Sequence, residues 1–402
     1  MHPLVSLVLS LLVLFLLVLR KVDIAYALAV STFIFGILVF SPRDLIINTY
    51  NGLFSFSTLR LFLAFVLAFY FAALLRNVGV MDKIVKGVAR FNKKFAAVFL
   101  PSVVGLIPMP GGALVSAIML RDLYLNDLKI GEEKATFINF WFRHIWVAVW
   151  PLYQSLIIAS ILLNVKVWQV ISCTYPISLA TIIGGLLVVL PLLKNVKENP
   201  EEKDNRSLKM IFEGFWPFLT VVVLVLGLKL DVIYSLIIVV LLTSLVYRPD
   251  KSKIKKSLKF AFSPKILLII AMVMIYKEYV TNSNVNVELY NLSVSLGLPI
   301  YLVLFLIPFI IGLATSGEFV FVAMSFPVLI NILAPNGNIN PFYVFVAYLG
   351  GILSVMVTPI HLCLALTLKY FNAKASITYR YILLSILFSF ILGLILGLIL
   401  LK

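Results

Sequence analysis

Residues 21–28 read KVDIAYAL and residues 229–236 read KLDVIYSL, 208 positions apart. If the chain is duplicated, other landmarks should recur at that spacing. Asp23 pairs with Asp231, Pro42 with Pro249, Gly105-Leu106 with Gly312-Leu313, and Pro151 with Pro359, at offsets of 207 or 208. One match is weak in apolar sequence. Four in order at a near-constant offset point to an internal repeat, a feature of many secondary transporters. The most polar stretch, KNVKENPEEKDNRSLK (194–209), lies near the midpoint and reads as a cytoplasmic linker between the halves.

The composition sets the solvent. The chain is 62% hydrophobic and 12% charged, with a mean hydropathy of +1.10. A soluble domain is about 45–50% apolar and about 25% charged. Runs such as LVSLVLSLLVLFLLVL (4–19) and YILLSILFSFILGLILGLILL (381–401) suit bilayer crossings, which take about 20 residues as helix. The first run lacks a small-residue cleavage site and reads as a retained helix. The net charge of +16 would suggest nucleic acid for a soluble protein. Here the basic residues fall in loops between apolar segments, so the charge reads as topology and no nucleic-acid partner is expected. Membrane lipid is the surrounding partner. Cys173 and Cys363 both lie in apolar segments and read as small buried residues.

Apolar segments fall near 3–20, 23–40, 58–76, 95–120, 135–163, 168–193, 210–228, 231–247, 264–281, 297–333, 341–368 and 378–401. Two per half carry helix-breaking residues. GLIPMPGGA (105–113), with Pro108, Pro110, Gly111 and Gly112, corresponds to GLATSGEFV (312–320). VWPLY (149–153), with Pro151, corresponds to VTPIH (357–361), with Pro359. Interrupted backbone survives at membrane depth only where protein or a water-filled cavity surrounds it. The four breaks are therefore the candidate site.

Charge decides the topology. If 95–120 and 297–333 turn back as re-entrant hairpins, 26 Lys and Arg fall on one side and 6 on the other, with Arg143 inside a helix. If both cross, the split is 14 against 18. Only the hairpin arrangement obeys the positive-inside rule. The expected fold is an all-α polytopic membrane protein of two inverted-topology repeats. Each repeat has five transmembrane helices and one re-entrant hairpin, and both termini lie outside the plasma membrane. Asp23 and Asp231 read as helix N-caps.

Ionisable residues within membrane segments are functional candidates. Arg143 could clamp a carboxylate or phosphate through its planar fork, or pair with the loop acids Glu132 and Glu133. His144 and His361 could exchange protons, or be satisfied core histidines. Glu318 could carry a proton or coordinate Na⁺, or cap its half-helix. Half-helix N-termini after Gly111-Gly112 and Gly317 favour an anion. Ser116, Thr315, Ser316 and Thr358 supply hydroxyls. Pro151 and Pro359 free carbonyls near Val147 and Val355, which suit a small cation. His144, His361 and Glu318 could form a metal site in principle, but they come from separate segments without a spacing signature, a weak signal, and no resident metal or other cofactor is expected.

GLIPMPGGALVSAIML, RHIWVAVWPLY, GLATSGEFVFVAMSFPVL and the late Thr358-Pro359 break resemble an archaeal and bacterial integral-membrane family of unassigned function in the ion transporter superfamily. That family is distantly similar to gluconate permeases and citrate and dicarboxylate transporters. The resemblance implies a homodimer and elevator motion. The scaffold would be 1–94 and 210–281, and the transport domain 95–193 and 297–402. The expected function is secondary transport of a small organic anion, coupled to H⁺ or Na⁺. The alternatives are a lipid or lipid-precursor flippase and an ion channel, although the apolar segments carry few polar residues to line a pore; an intramembrane enzyme lacks a HExxH motif or an aspartate pair.

Overall fold

The computed structural model describes residues 1–89, 92–107, 112–194, 196 and 205–401. Pro108, Pro110 and Gly111, and most of the 194–209 linker, lie outside the described residues. The described chain is all helical, without strands. Its first half holds α1 (Pro3–Leu19), α2 (Ile24–Val39), α3 (Pro42–Leu53), α4 (Phe56–Asn77), α5 (Val80–Ala89), α6 (Lys93–Gly105), α7 (Gly112–Asp122), α8 (Glu132–Arg143), α9 (Gln154–Leu162) and α10 (Val167–Leu193). The second holds α11 (Asn205–Val222), α12 (Val232–Tyr247), α13 (Lys251–Ala261), α14 (Pro264–Asn282), α15 (Val285–Ser295), α16 (Ile300–Thr315), α17 (Glu318–Leu333), α18 (Pro341–Val357), α19 (Leu362–Phe371) and α20 (Ala375–Leu400).

Ten helices are followed by ten. The pairs α2 and α12, α9 and α19, and α10 and α20 each begin 208 residues apart, at Ile24 and Val232, Gln154 and Leu362, and Val167 and Ala375. Detail repeats as well. Asp23 accepts from the Ala25 amide and Asp231 from the Ile233 amide, as N-caps. Lys21 and Lys229 both have positive φ, at 60° and 53°, and so do Asn164 and Asn372, at 54° and 55°. Asn tolerates this left-handed region better than other non-glycine residues, which suits helix ends.

Several apolar helices are long enough to span a bilayer, including Phe56–Asn77, Val167–Leu193 and Ala375–Leu400, and shorter apolar ones such as Glu318–Leu333 accompany them. This is a polytopic membrane fold. Four short helices, α3, α5, α13 and α15, occupy stretches that read as loops in the sequence. Their polar faces lower the mean hydropathy and hide them from a search for apolar runs. They too are paired by the repeat.

The chain forms two compact units. Unit 1 comprises 1–67, 154–174 and 259–358; unit 2 comprises 68–153, 175–258 and 359–402. Within unit 2, α6 packs on α7 and α8, and α19 packs on α7 and α8. Within unit 1, α16 packs on α17 and α18, and α9 packs on α17. Each unit thus combines the hairpin and first half-helix of one repeat with the second half-helix of the other. Scaffold and transport domain are distinctions of motion, which contact density does not draw.

Candidate functional site

In unit 2, α8 begins with Glu132 and Glu133 in its first turn and ends with Arg143 in its last, both suited to the helix dipole. Residues 135–143 are buried on every face, as a helix in a protein interior should be. Trp141 anchors it by donating its indole N–H to the Thr181 carbonyl at 2.9 Å.

The break begins earlier than its proline suggests. α8 stops at Arg143, eight residues before Pro151. Three-residue bonds from the His144 amide to Trp141, Val147 to His144, and Val149 to Trp146 replace the helical ladder. Val147 therefore lies in tight turns rather than one turn before a proline kink. In the second repeat, α18 runs to Val357 and breaks at Thr358-Pro359, as expected. Val355 lies in its last turn.

Arg143 is 4% exposed. The reading of an interfacial residue paired with Glu132 or Glu133 does not hold; the Glu133 carboxylate instead accepts from the Lys374 amide. Two glycines admit Arg143. A Cβ on Gly105 would stand 2.2 Å from the Arg143 carbonyl oxygen, and one on Gly112 would stand 2.1 Å from its Nη2. The residue is wedged across both arms of the α6–α7 hairpin. Tyr153 fastens the break to the same hairpin by donating its hydroxyl to the Gly105 carbonyl at 2.8 Å.

The structure gathers His144, His361 and Cys363 beside Arg143. Arg143 Nη1 is 3.9 Å from Cys363 Sγ. The two imidazoles stand perpendicular with centroids 4.9 Å apart, and Phe140 packs on both. His144 Nδ1 lies 2.6 Å from the Phe140 carbonyl oxygen. A carbonyl only accepts, so Nδ1 carries the proton and Nε2 of the neutral ring presents a lone pair. Ser116 lies on α7 and donates to the Ala113 carbonyl.

Sequence reasoning missed several residues here. Asn139, one turn before Arg143, donates to the same Ala113 carbonyl at 2.8 Å. It is fully buried, and its Oδ1 has no partner among the described residues. Trp146 and Trp150, within the break, hold buried indole N–H groups without acceptors among the described residues. Their spacing around RHIW was the available signal. Cys363 follows His361 by two residues, a pairing too short to read as a motif.

The second group of predicted residues lies in unit 1. Ser316 ends α16 in the left-handed conformation, φ 56°, with its amide bonded to the Gly312 carbonyl. Gly317 precedes Glu318, which opens α17 in the position favoured by the dipole. Thr315 Oγ1 donates to the Ile311 carbonyl at 2.7 Å. Thr358, at the α18 break, donates to the Leu313 carbonyl at 2.7 Å and ties break to hairpin tip. Gly312 repeats the close approach of Gly105, with a Cβ there lying 2.2 Å from Ser354 Oγ and 3.1 Å from the Gly351 carbonyl oxygen. Gly351 stands where Arg143 stands in the first repeat, and the Phe321 ring occupies its space. The scaffold is duplicated; the cationic chemistry is not.

Solved structures supply a likeness of fold. The crystal structure of the Alcanivorax borkumensis YdaH transporter, described as revealing an unusual topology, matches 99% of this chain and 99% of its own, with a TM-score of 0.61 and 14% identity. No curated protein matches the sequence significantly. The profile of the family described as "Protein of unknown function (DUF401)" matches residues 3–400, and the chain belongs to that family.

Proposed function

We propose that the protein is a secondary active transporter of a small organic anion, a carboxylate or sugar acid, coupled to H⁺ or Na⁺. The observation that carries this reading is Arg143: a guanidinium buried to 4% exposure at a broken helix, wedged against a hairpin and flanked by two imidazoles. A cation so placed is expensive to desolvate and is retained where it serves a ligand. The buried indole donors of Trp146 and Trp150 are of the kind an anion accepts from. The fold shared with the YdaH transporter supports the class, and the paired hairpins and breaks suit alternating access.

In this reading Arg143 clamps the anion, with Gly112, His144 and His361 around it. Glu318, Thr315, Ser316, Gly317 and Thr358 form the corresponding tip in unit 1, with Glu318 in the coupling role. Residues 1–94 and 210–281 form the scaffold and 95–193 and 297–402 the moving domain of an elevator. The protein would act as a homodimer in the plasma membrane. Small carboxylates and sugar acids are the substrates to screen first.

The test is a thermal-shift screen of purified protein against small carboxylates, sugar acids and phosphorylated metabolites, with and without Na⁺ and across pH. A ligand of the native state raises apparent stability by mass action. An anion that stabilises wild type but not Arg143→Ala, followed by gradient-driven uptake into proteoliposomes, is the expected result. Flux without ion coupling would make the protein a channel. Stabilisation by no soluble anion, with headgroup-specific lipid movement between leaflets, would make it a flippase.

A further inference from the structure

We propose that His144, His361 and Cys363 form a binding site for a thiophilic metal ion of the Zn²⁺ class. The three side chains are 4%, 7% and 7% exposed, and their ligand atoms all lie within 4.8 Å of one another. Zinc bonds of about 2.0–2.3 Å in tetrahedral geometry space ligand atoms roughly 3.3–3.7 Å apart. The cluster closes onto an ion by side-chain rotation of about an ångström. His361 opens α19 and Cys363 sits in its first turn, while His144 caps the C-terminus of α8. The three donors thus come from the ends of two helices that pack together in one unit.

Two further observations point to a metal rather than to packing alone. His144 donates from Nδ1 to a backbone carbonyl. That bond places the ring proton on Nδ1 and leaves the Nε2 lone pair toward Cys363, the outer-shell arrangement that metal-ligating histidines use. The donor set is also selective: one thiolate with two imidazoles suits Zn²⁺ and Cu⁺ and does not suit Na⁺, Mg²⁺ or Ca²⁺.

Binding displaces the Cys363 thiol proton to solvent as the sulfur–metal bond forms. Three protein ligands leave the fourth position open. Arg143 Nη1, 3.9 Å from the sulfur, disfavours a bare dication there and favours an ion that brings an anion with it, such as chloride, hydroxide or carboxylate. The inference goes beyond the transport reading and does not depend on it.

The test is an anaerobic Co²⁺ titration of chelator-stripped protein in detergent, without any candidate substrate. The expected result is a near-ultraviolet thiolate-to-cobalt charge-transfer band that saturates at equimolar metal and is displaced by Zn²⁺. Cys173→Ser should leave the band intact, because Cys173 is the other buried thiol and stands outside the cluster. Cys363→Ser should abolish it, and His144→Gln or His361→Gln should weaken binding at least about tenfold. Absence of the band in folded wild-type protein overturns the proposal without recourse to any variant. A band that survives Cys363→Ser overturns it equally.

Discussion

Gly112 decides where the Arg143 guanidinium can lie. Because a Cβ at that position would meet Nη2 at 2.1 Å, Gly112→Ala displaces the side chain while leaving its charge. Overpacking of this kind costs about 1–3 kcal/mol of stability. The larger effect should fall on anion affinity, read as the concentration dependence of thermal stabilisation by the anion the screen identifies. Arg143→Lys asks the complementary question: it keeps the charge and loses the fork that binds two oxygens together. Charged hydrogen bonds contribute about 1.5–3 kcal/mol, so affinity should fall about 10- to 100-fold with the melting temperature of the ligand-free protein little changed. Unaltered affinity in both variants would remove Arg143 from the ligand. Arg143, His144 and His361 were legible in the sequence because ionisable groups stand out in apolar segments. Cys363 and Asn139 were not. A thiol within HLCLAL has the composition of a packing residue, and nothing local tells that α19 lies on α8. Asn139 is recognisable only once the helix is known to continue, since it then shares a face with Arg143 at the i, i+4 spacing.

At the scale of elements, the breaks do the positioning and single bonds hold them. Thr358 Oγ1 ties the α18 break to the α16–α17 tip through the Leu313 carbonyl. Thr358→Val keeps the shape and removes the donor, which should cost about 1–3 kcal/mol where the group is buried. Thermal unfolding in detergent would register the loss, and Ser in place of Thr should recover most of it. The repeated caps offer a second measurement. Asp231→Ala should cost about 1 kcal/mol, the usual worth of such a cap. Asp23→Ala should cost the same plus the contribution of Lys265, whose ammonium contacts the Asp23 carboxylate; for a solvent-accessible pair that addition is small. Equal costs would mean that Lys265 contributes nothing. The caps, hairpins and late break could be read from sequence because Asp, Pro and Gly act locally. The early end of α8 could not, since no proline or glycine marks it and its last carbonyl meets Gly105 on another helix.

At the scale of the whole molecule, the repeat is the governing fact. Among the described residues twenty α-helices pair in order across the midpoint, yet the buried cation, the two histidines and the thiol gather in unit 2 alone, Arg143 and His144 from the first repeat and His361 and Cys363 from the second. A duplicated arrangement with one specialised unit, to which both repeats contribute, fits a ligand handled at one hairpin. Whether the copies are inverted turns on the distribution of charge, 26 basic residues against 6, because Lys and Arg remain on the cytoplasmic side. That reading assigns the loop between α7 and α8 and the loop between α17 and α18 to opposite faces. Asn126 and Asn338 are exposed residues of these loops, and both native cysteines are buried. Asn126→Cys and Asn338→Cys can therefore be labelled in an otherwise native chain with a membrane-impermeant maleimide. In intact cells Asn338→Cys should react from outside and Asn126→Cys only after the membrane is opened. Labelling of both from one side would make the repeats parallel. At least one of the two hairpin segments would then have to cross the membrane.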